Sequence, residues 1–307
     1  MRIFVTGGTG LVGTRLVQRL RERGDQLVVL TRHFAQARQT LGPNVQLIEG
    51  DPMQPGDWMN ALDDCDGAIN LAGENLFNRR WSTAFKTLMY DSRINTTRHV
   101  VEAMARKPKR IDGTPRVLVN ASAIGIYGPH GDEELTEDAS AGPDFLAQLC
   151  VDWEKEANRA KESGVRVAVV RIGVVLDRRG GALAQMLPPF RWFFGGPVAG
   201  GRQWMSWVHH DDLVGIFLMA LDRNEATGPI NGTAPNPVTN RQFSKALGHA
   251  LHRPSFFPTP GFLLRIMLGE VANVVTSGQR VLPRRAQALG YSFRFPNLNE
   301  ALQDVLS

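Results

Sequence analysis

The sequence predicts a doubly wound α/β fold, a parallel sheet completed by a smaller, mainly helical lobe towards the C-terminus. Three observations carry this. Short apolar strands alternate with amphipathic helices at βαβ spacing up to about residue 175. The first strand runs directly into a glycine triplet. The last seventy or so residues hold mostly helical patterns, such as Asn240–His252 and Asn297–Leu306, with no repeat, linker or composition break.

Residues 1–13 read MRIFVTGGTGLVG, with Ile3–Val5 as a buried strand and Gly7, Gly10 and Gly13 spaced G-x-x-G-x-x-G. A strand turning sharply into a helix needs a residue tolerant of positive φ, one without a side chain where a pyrophosphate nears the backbone, and one where helix and strand pack tightly. The first-turn amides, from Leu11, Val12 and Gly13, then face the phosphates. The following helix buries Leu11, Val12, Leu16, Val17 and Leu20 and stops at Gly24, and a second strand follows at Leu27–Leu30. This is the dinucleotide-binding pattern of a Rossmann fold.

The end of the second strand discriminates between coenzymes. A carboxylate there would grip a ribose 2′-hydroxyl; the sequence has Thr31-Arg32-His33, a hydroxyl and a cation, which favours a 2′-phosphate and hence NADP. A solvated Arg on a loop is the alternative. Val45–Ile48 forms a third strand closed by Glu49-Gly50-Asp51, where Asp51 either receives the adenine amino group or caps the next turn. Gly67–Leu71 is the fourth, and Ala72-Gly73 after it are small enough for a coenzyme to lie across the sheet edge.

A long helix is expected over residues 82–105, with Phe85, Leu88, Met89, Ile94 and Val101 as core and Arg93 beside them. A buried Arg calls for an anion: either a coenzyme phosphate or a structural carboxylate. Val117–Asn120 is the fifth strand, leading to Ser122 and Tyr127. A helix over residues 145–163 ends at Gly164, and Arg166–Val170 is the sixth strand. Beyond Val175 the chain becomes turn-rich. The apolar run Leu187–Phe194 reads as a wall or lid over a cleft, or as a subunit contact, and Asp211 or Asp212 is expected to cap a helix after Trp204–Val214. Residues 1–235, including a cleft segment at 187–212, are therefore assigned to the dinucleotide-binding domain, and 236–307 to a helical region packed on it.

Bulk properties exclude other classes. A net charge of +5, spread out, offers no basic arm or stripe for nucleic acid. Cys65 and Cys150 are far apart, which argues for a reducing compartment and against structural zinc. The most apolar late stretch, Phe262–Val275, is interrupted by Arg265 and Glu270 and is too short to span a bilayer. With a strand at the very start there is no room for a signal peptide. A cytoplasmic protein is expected, acting on a small molecule, with no nucleic-acid or membrane partner.

TGGTGLVG, Asn70-Leu71-Ala72-Gly73, Ser122 before Tyr127-Gly128 and the His209/Asp211/Asp212 stretch resemble the extended short-chain dehydrogenase/reductase superfamily. LAGENLFNRRW (71–81), SRINTTRHVVEA (92–103), RIGVVLDRRGGAL (171–183), 187–212 and 239–254 resemble its atypical NAD(P)-dependent epimerase family, the YfcH type. The resemblance covers essentially the whole chain. It implies NADP(H) binding, with Thr31-Arg32 at the 2′-phosphate, Leu71-Ala72 beside the coenzyme, Arg93 on the helix behind it and Val175 near the nicotinamide. In related enzymes the helix carrying Leu88 and Met89 commonly forms a homodimer.

One departure bears on chemistry. Working members of the superfamily carry Tyr-x-x-x-Lys on the helix after the fifth strand; here Leu146 and Cys150 stand in those places, and neither can do that work. In one reading the chain remains an NADP-dependent oxidoreductase or epimerase, with Ser122 and Tyr127 as catalytic candidates and Cys150 or His209 as further titrating groups. In the other it binds NADP(H) without turnover, as a sensor or partner-binding module. Arg202, Gln203, Trp207 and His209 argue for a second polar site and so for the first reading.

Overall fold

The computed structural model describes residues 1–307. In chain order the elements are β1 (Arg2–Thr6), α1 (Leu11–Glu22), β2 (Gln26–Thr31), α2 (Phe34–Leu41), β3 (Gln46–Glu49), β4 (Gly67–Asn70), α3 (Thr83–Arg106) and β5 (Val117–Ala123). There follow β6 (Glu134–Leu135), α4 (Phe145–Asn158), β7 (Arg166–Ile172), β8 (Val174–Leu176), α5 (Gly181–Arg191), β9 (Trp204–Met205), β10 (Trp207–His209), α6 (His210–Asp222) and β11 (Gly228–Gly232). The C-terminal part comprises β12 (Val238–Thr239), α7 (Asn240–Leu251), α8 (Gly261–Leu268), α9 (Ala272–Thr276), β13 (Arg280–Val281), α10 (Arg284–Ala288) and α11 (Leu298–Leu306).

Seven strands lie in the order β11, β7, β5, β4, β1, β2, β3, all parallel. Side chains alternate across them. Ile3, Val5 and Val29 face one core with Leu16 and Leu20 of α1 and Leu213 and Phe217 of α6. Phe4, Val28 and Leu30 face the other, with Trp58, Leu62, Val100 and Met104. The strand order reverses between β1 and β4, so the loops leaving them diverge and open a crevice at the sheet's C-terminal edge.

Sequence and structure differ in places for physical reasons. The edge strand β11 has no counterpart among the six expected strands: its sequence GPING lacks an apolar alternation, and Pro229 is tolerated because only one side of the strand is paired. Residues 181–191 form α5 although Pro188 and Pro189 lie within it. Helix α6 is capped not by Asp211 or Asp212 but by His209, whose Nδ1 accepts the Asp211 N–H at 3.1 Å; both aspartates fall in the first turn. The expected helix over 145–163 is regular only to Asn158 and finishes as a 3₁₀ turn before Gly164, at φ +87°. Met89, placed by resemblance on a dimer-forming helix, is wholly buried in the chain's own core, and Leu88 is half-buried.

Candidate functional site

The crevice begins at the β1–α1 loop. Gly7 sits at φ +68°, and a Cβ there would lie 2.8 Å from the Leu71 carbonyl carbon and 2.9 Å from the Ala72 nitrogen. At Gly13 a Cβ would lie 2.1 Å from the Gly7 oxygen, so helix and loop are pressed together. Gly10 is exposed and less crowded, its nearest neighbour being the Gly7 oxygen at 3.2 Å. It caps α1 without a side-chain bond, and the first helical bond runs from Thr14 N–H to Gly10 O, so the amides of Leu11, Val12 and Gly13 precede the helix's own ladder. Such a terminus suits an anion. Sequence reasoning passed over Gly8, where a Cβ would meet Val29 Cγ1 at 2.7 Å; it packs the loop on β2.

The strand ends around the loop are locked by buried polar groups. Thr6 Oγ1 donates to Asn70 Oδ1 at 2.5 Å, and Asn70 Nδ2 donates to Thr97 Oγ1 at 2.8 Å and Asn120 Oδ1 at 2.7 Å. Trp153 Nε1 reaches Thr97 Oγ1 at 2.8 Å. Thr6 Oγ1 also accepts the Ala72 N–H, which fixes the Leu71-Ala72-Gly73 turn over the glycine loop.

At the end of β2, Thr31 is buried and its hydroxyl accepts the His33 N–H, while Arg32 is exposed and free of any ion pair. Asp51 is exposed and accepts the Met53 N–H at 3.0 Å, the turn-capping alternative. Arg93 lies behind Gly73, where a Cβ would meet its Cζ at 3.0 Å. It donates to the carbonyls of Met89 and Glu74 at 3.1 and 3.0 Å and stacks 5.2 Å from the Trp153 ring. The structural carboxylate partner is not found: Arg93 forms no ion pair, and burial lowers its pKa. Val175 lies on β8 against Val208, and the chain just beyond it returns to the loop, a Cβ on Gly180 meeting Leu11 Cδ1 at 3.1 Å.

The titrating candidates are elsewhere engaged. Ser122 is buried and donates to Glu154 Oε1 at 2.7 Å; Glu154 is held bidentately by Arg171 at 2.8 and 2.9 Å. Tyr127 is 0% exposed, its hydroxyl donating to Asn231 at 2.7 Å and accepting from Arg171 at 2.9 Å. Burial pushes its phenol up to about 12. The phenol therefore faces no cleft, contrary to its reading as an acid/base. Cys150 is buried beside Ser122 and Ala123, and burial pushes its thiol up to about 11. His209, also fully buried, bonds Asp304 through Nε2 at 3.1 Å, and burial pushes it down to about 4. Gln203 ties the carbonyls of Val198 and Val275, and Trp207 that of Asn236, so of the expected second polar site only Arg202 is free.

A family model described as NAD dependent epimerase/dehydratase family matches residues 3–231. The chain belongs to that family. A second model, a domain of unknown function (DUF1731), matches residues 259–305. The family member "Epimerase family protein SDR39U1" of Mus musculus is 40% identical, each chain covered in full. A chloroplastic SDR39U1 homolog of Arabidopsis thaliana is 42% identical over all of this chain and 87% of its own. The crystal structure of human epimerase family protein SDR39U1 with NADPH superposes with TM-score 0.86 at 36% identity, covering 99% of both chains.

Within the family frame, Leu146 and Cys150 lie on α4 facing the β5 turn: a Cβ on Gly125 would meet Leu146 Cβ at 3.6 Å. The residues that sequence reasoning missed are Glu154, Arg171, Glu137 and Asn231. The backbone of Asn231 donates to Glu137 Oε1 at 2.9 Å, closing a buried network around Tyr127. For Glu154 and Arg171 the only sequence signal is a charge on a buried helix face and in an otherwise apolar strand; Glu137, in a turn within the polar run 136–140, carries none.

Proposed function

We propose that this chain binds NADP(H) in preference to NAD(H) and exchanges hydride with a small substrate in the crevice, without a tyrosine acid. The observation that carries the coenzyme reading is the pairing of three helix-start amides at an exposed glycine with an unpaired Arg32 at the end of β2. The residues fit the coenzyme: Gly7, Gly10 and Gly13 make the loop, Leu11–Gly13 supply amides, and Thr31-Arg32 receive a 2′-phosphate. Asp51 stands by the adenine end, Leu71-Ala72-Gly73 lie alongside, and Arg93 and Val175 flank the inner end. Bound there, NADPH supplies hydride. The human relative's crystal structure with NADPH supports the same reading.

Because Tyr127, Cys150 and His209 are sealed, the proton that accompanies hydride comes from solvent or from the substrate itself. Ser122 orients Glu154 and ranks as a positioning residue. The same sealing favours a second reading, coenzyme binding without turnover.

Two measurements test this. Arg32→Ala should weaken NADPH binding by about 1–3 kcal/mol in calorimetric titration and leave NADH nearly unchanged; equal losses would refute the 2′-phosphate assignment. Oxidation of NADPH should then be followed against carbonyl compounds and nucleotide sugars. Turnover with some substrate that keeps its pH profile in Tyr127→Phe supports the enzyme reading, and none with any substrate supports the binding-only one.

A further inference from the structure

We propose that the face made by residues 192–194, 256–257 and α8 docks the protein on an anionic lipid surface. Helix α8, sequence GFLLRIML, contributes no buried residue. Phe262, Ile266 and Met267 are 67%, 66% and 62% exposed, and with Leu263 they recur at i, i+1, i+4, i+5, one side of a helix turned to solvent. Trp192 and Phe194, 74% and 66% exposed, follow directly on the end of α5. The two stretches form one platform. Phe257 N–H donates to Gly195 O, Thr259 N–H to Pro197 O and Ala199 N–H to Thr259 O, and the rings of Phe194 and Phe257 lie 5.8 Å apart. A Cβ on Gly196 would fall 2.1 Å from the Phe257 oxygen, so the approach is close. Gly261 at the start of α8 continues it, its Cβ position 3.2 Å from Ala199.

Charge names the occupant. Neither residues 178–210 nor residues 226–269 contain a single Asp or Glu, yet the platform carries exposed Arg191 beside Trp192, Arg253 over the Phe193 ring and Arg265 on α8. The first carboxylate after α8, Glu270, is neutralised by Lys86 at 2.5 Å, and Arg80 donates to the Ile266 carbonyl, adding a cation at the rim. A second copy placed face to face would set arginines against arginines. A bilayer of anionic lipids accepts both components at once, the side chains of Trp, Phe, Ile and Met below the headgroups and the guanidinium groups among the phosphates. No helix is long and apolar enough to cross a membrane; lying in the interface requires only an outward apolar face with cations around it.

The test is co-sedimentation of the full chain with vesicles of phosphatidylcholine alone and of phosphatidylcholine mixed with phosphatidylglycerol. Binding is expected to the mixed vesicles only, and to fall as salt rises. Ile266→Asp/Met267→Asp should weaken it at least roughly tenfold, since two apolar side chains leave the interface. Arg191→Glu/Arg253→Glu should weaken it more than about fivefold, the loss expected for removing even one interfacial cation. All four positions are exposed, though Arg253 stacks 4.6 Å from the Phe193 ring, so thermal melting of each variant is the control for folding, and the arginine pair probes the face without touching α8. No binding to mixed vesicles, equal binding to neutral ones, or a concentration-dependent dimer in sedimentation velocity that Ile266→Asp dissolves would each overturn the proposal.

Discussion

Gly13 carries the tightest constraint in the crevice, and it shows how single residues divide between function and support. A methyl group there would overlap the Gly7 carbonyl oxygen, so Gly13→Ala must push α1 away from the loop and misplace the amides of Leu11 and Val12. Loss of NADPH binding with only a modest drop in melting temperature is the expected outcome in paired calorimetric and melting experiments. Tyr127 behaves in the opposite way. Removing its hydroxyl strands the Asn231 carbonyl and one guanidinium donor of Arg171, so Tyr127→Phe should cost about 1–3 kcal/mol of stability in urea unfolding and leave NADPH affinity intact. His209 makes stability pH-dependent. Its folded pKa is pushed down to about 4 from the ordinary 6.5, so the unfolded chain binds the extra proton first. Its contribution is whole above pH 6.5, is lost as pH falls through 4, and should vanish in His209→Asn, which keeps an acceptor for the Asp211 amide. Unfolding midpoints measured across that window would show it.

Among the elements, α4 decides most about chemistry. Asp144 caps it through the Ala147 amide, and Ala147, Leu149, Cys150 and Trp153 face inward as helical spacing requires. Cys150 therefore comes to rest in a sealed site near Arg93, with no room for a solvated ammonium. Restoring a lysine by Cys150→Lys should destabilise the fold by several kcal/mol rather than restore activity, because its ammonium would be buried from water near a Glu154 already paired with Arg171 and a second cation, Arg93; differential scanning calorimetry checks this. The regular elements were legible because their apolar residues recur with period 2 or 3.6, and α3, with Ser82 as its cap, falls within a residue of expectation. Helix α5 and strand β11 were not. Gly180-Gly181, the Pro188-Pro189 pair and the Gly-Pro start of β11 are locally turn-like, and tertiary packing overrides that preference: Leu183, Leu187 and Phe190 are buried with Trp207 and Phe243, and β11 is held by its ladder to β7.

For the whole molecule, the two halves of the chain share a core. Leu176, Leu187, Phe190 and Trp207 from the first pack with Phe243, Leu247, Leu298 and Leu302 from the second, and Asp211 of α6 joins Arg15 of α1 to Arg294. Removing residues 236–307 would strip cover from Trp207, among the largest fully buried side chains, so the truncated chain should lose cooperative thermal unfolding, whereas the intact one melts in a single step. The alternation of strands and helices, the glycine loop and the cation at the end of β2 were readable from the chain alone, since each depends on residues close together in sequence; the missing Tyr and Lys were visible only against the family the chain resembles. Which polar groups face the crevice and which are sealed depended on partners far apart: Tyr127 with Asn231, Ser122 with Glu154, and His209 with Asp304. Spacing along a chain encodes periodicity and turns, but a side chain's protonation and access follow from the dielectric and the partners that folding brings to it.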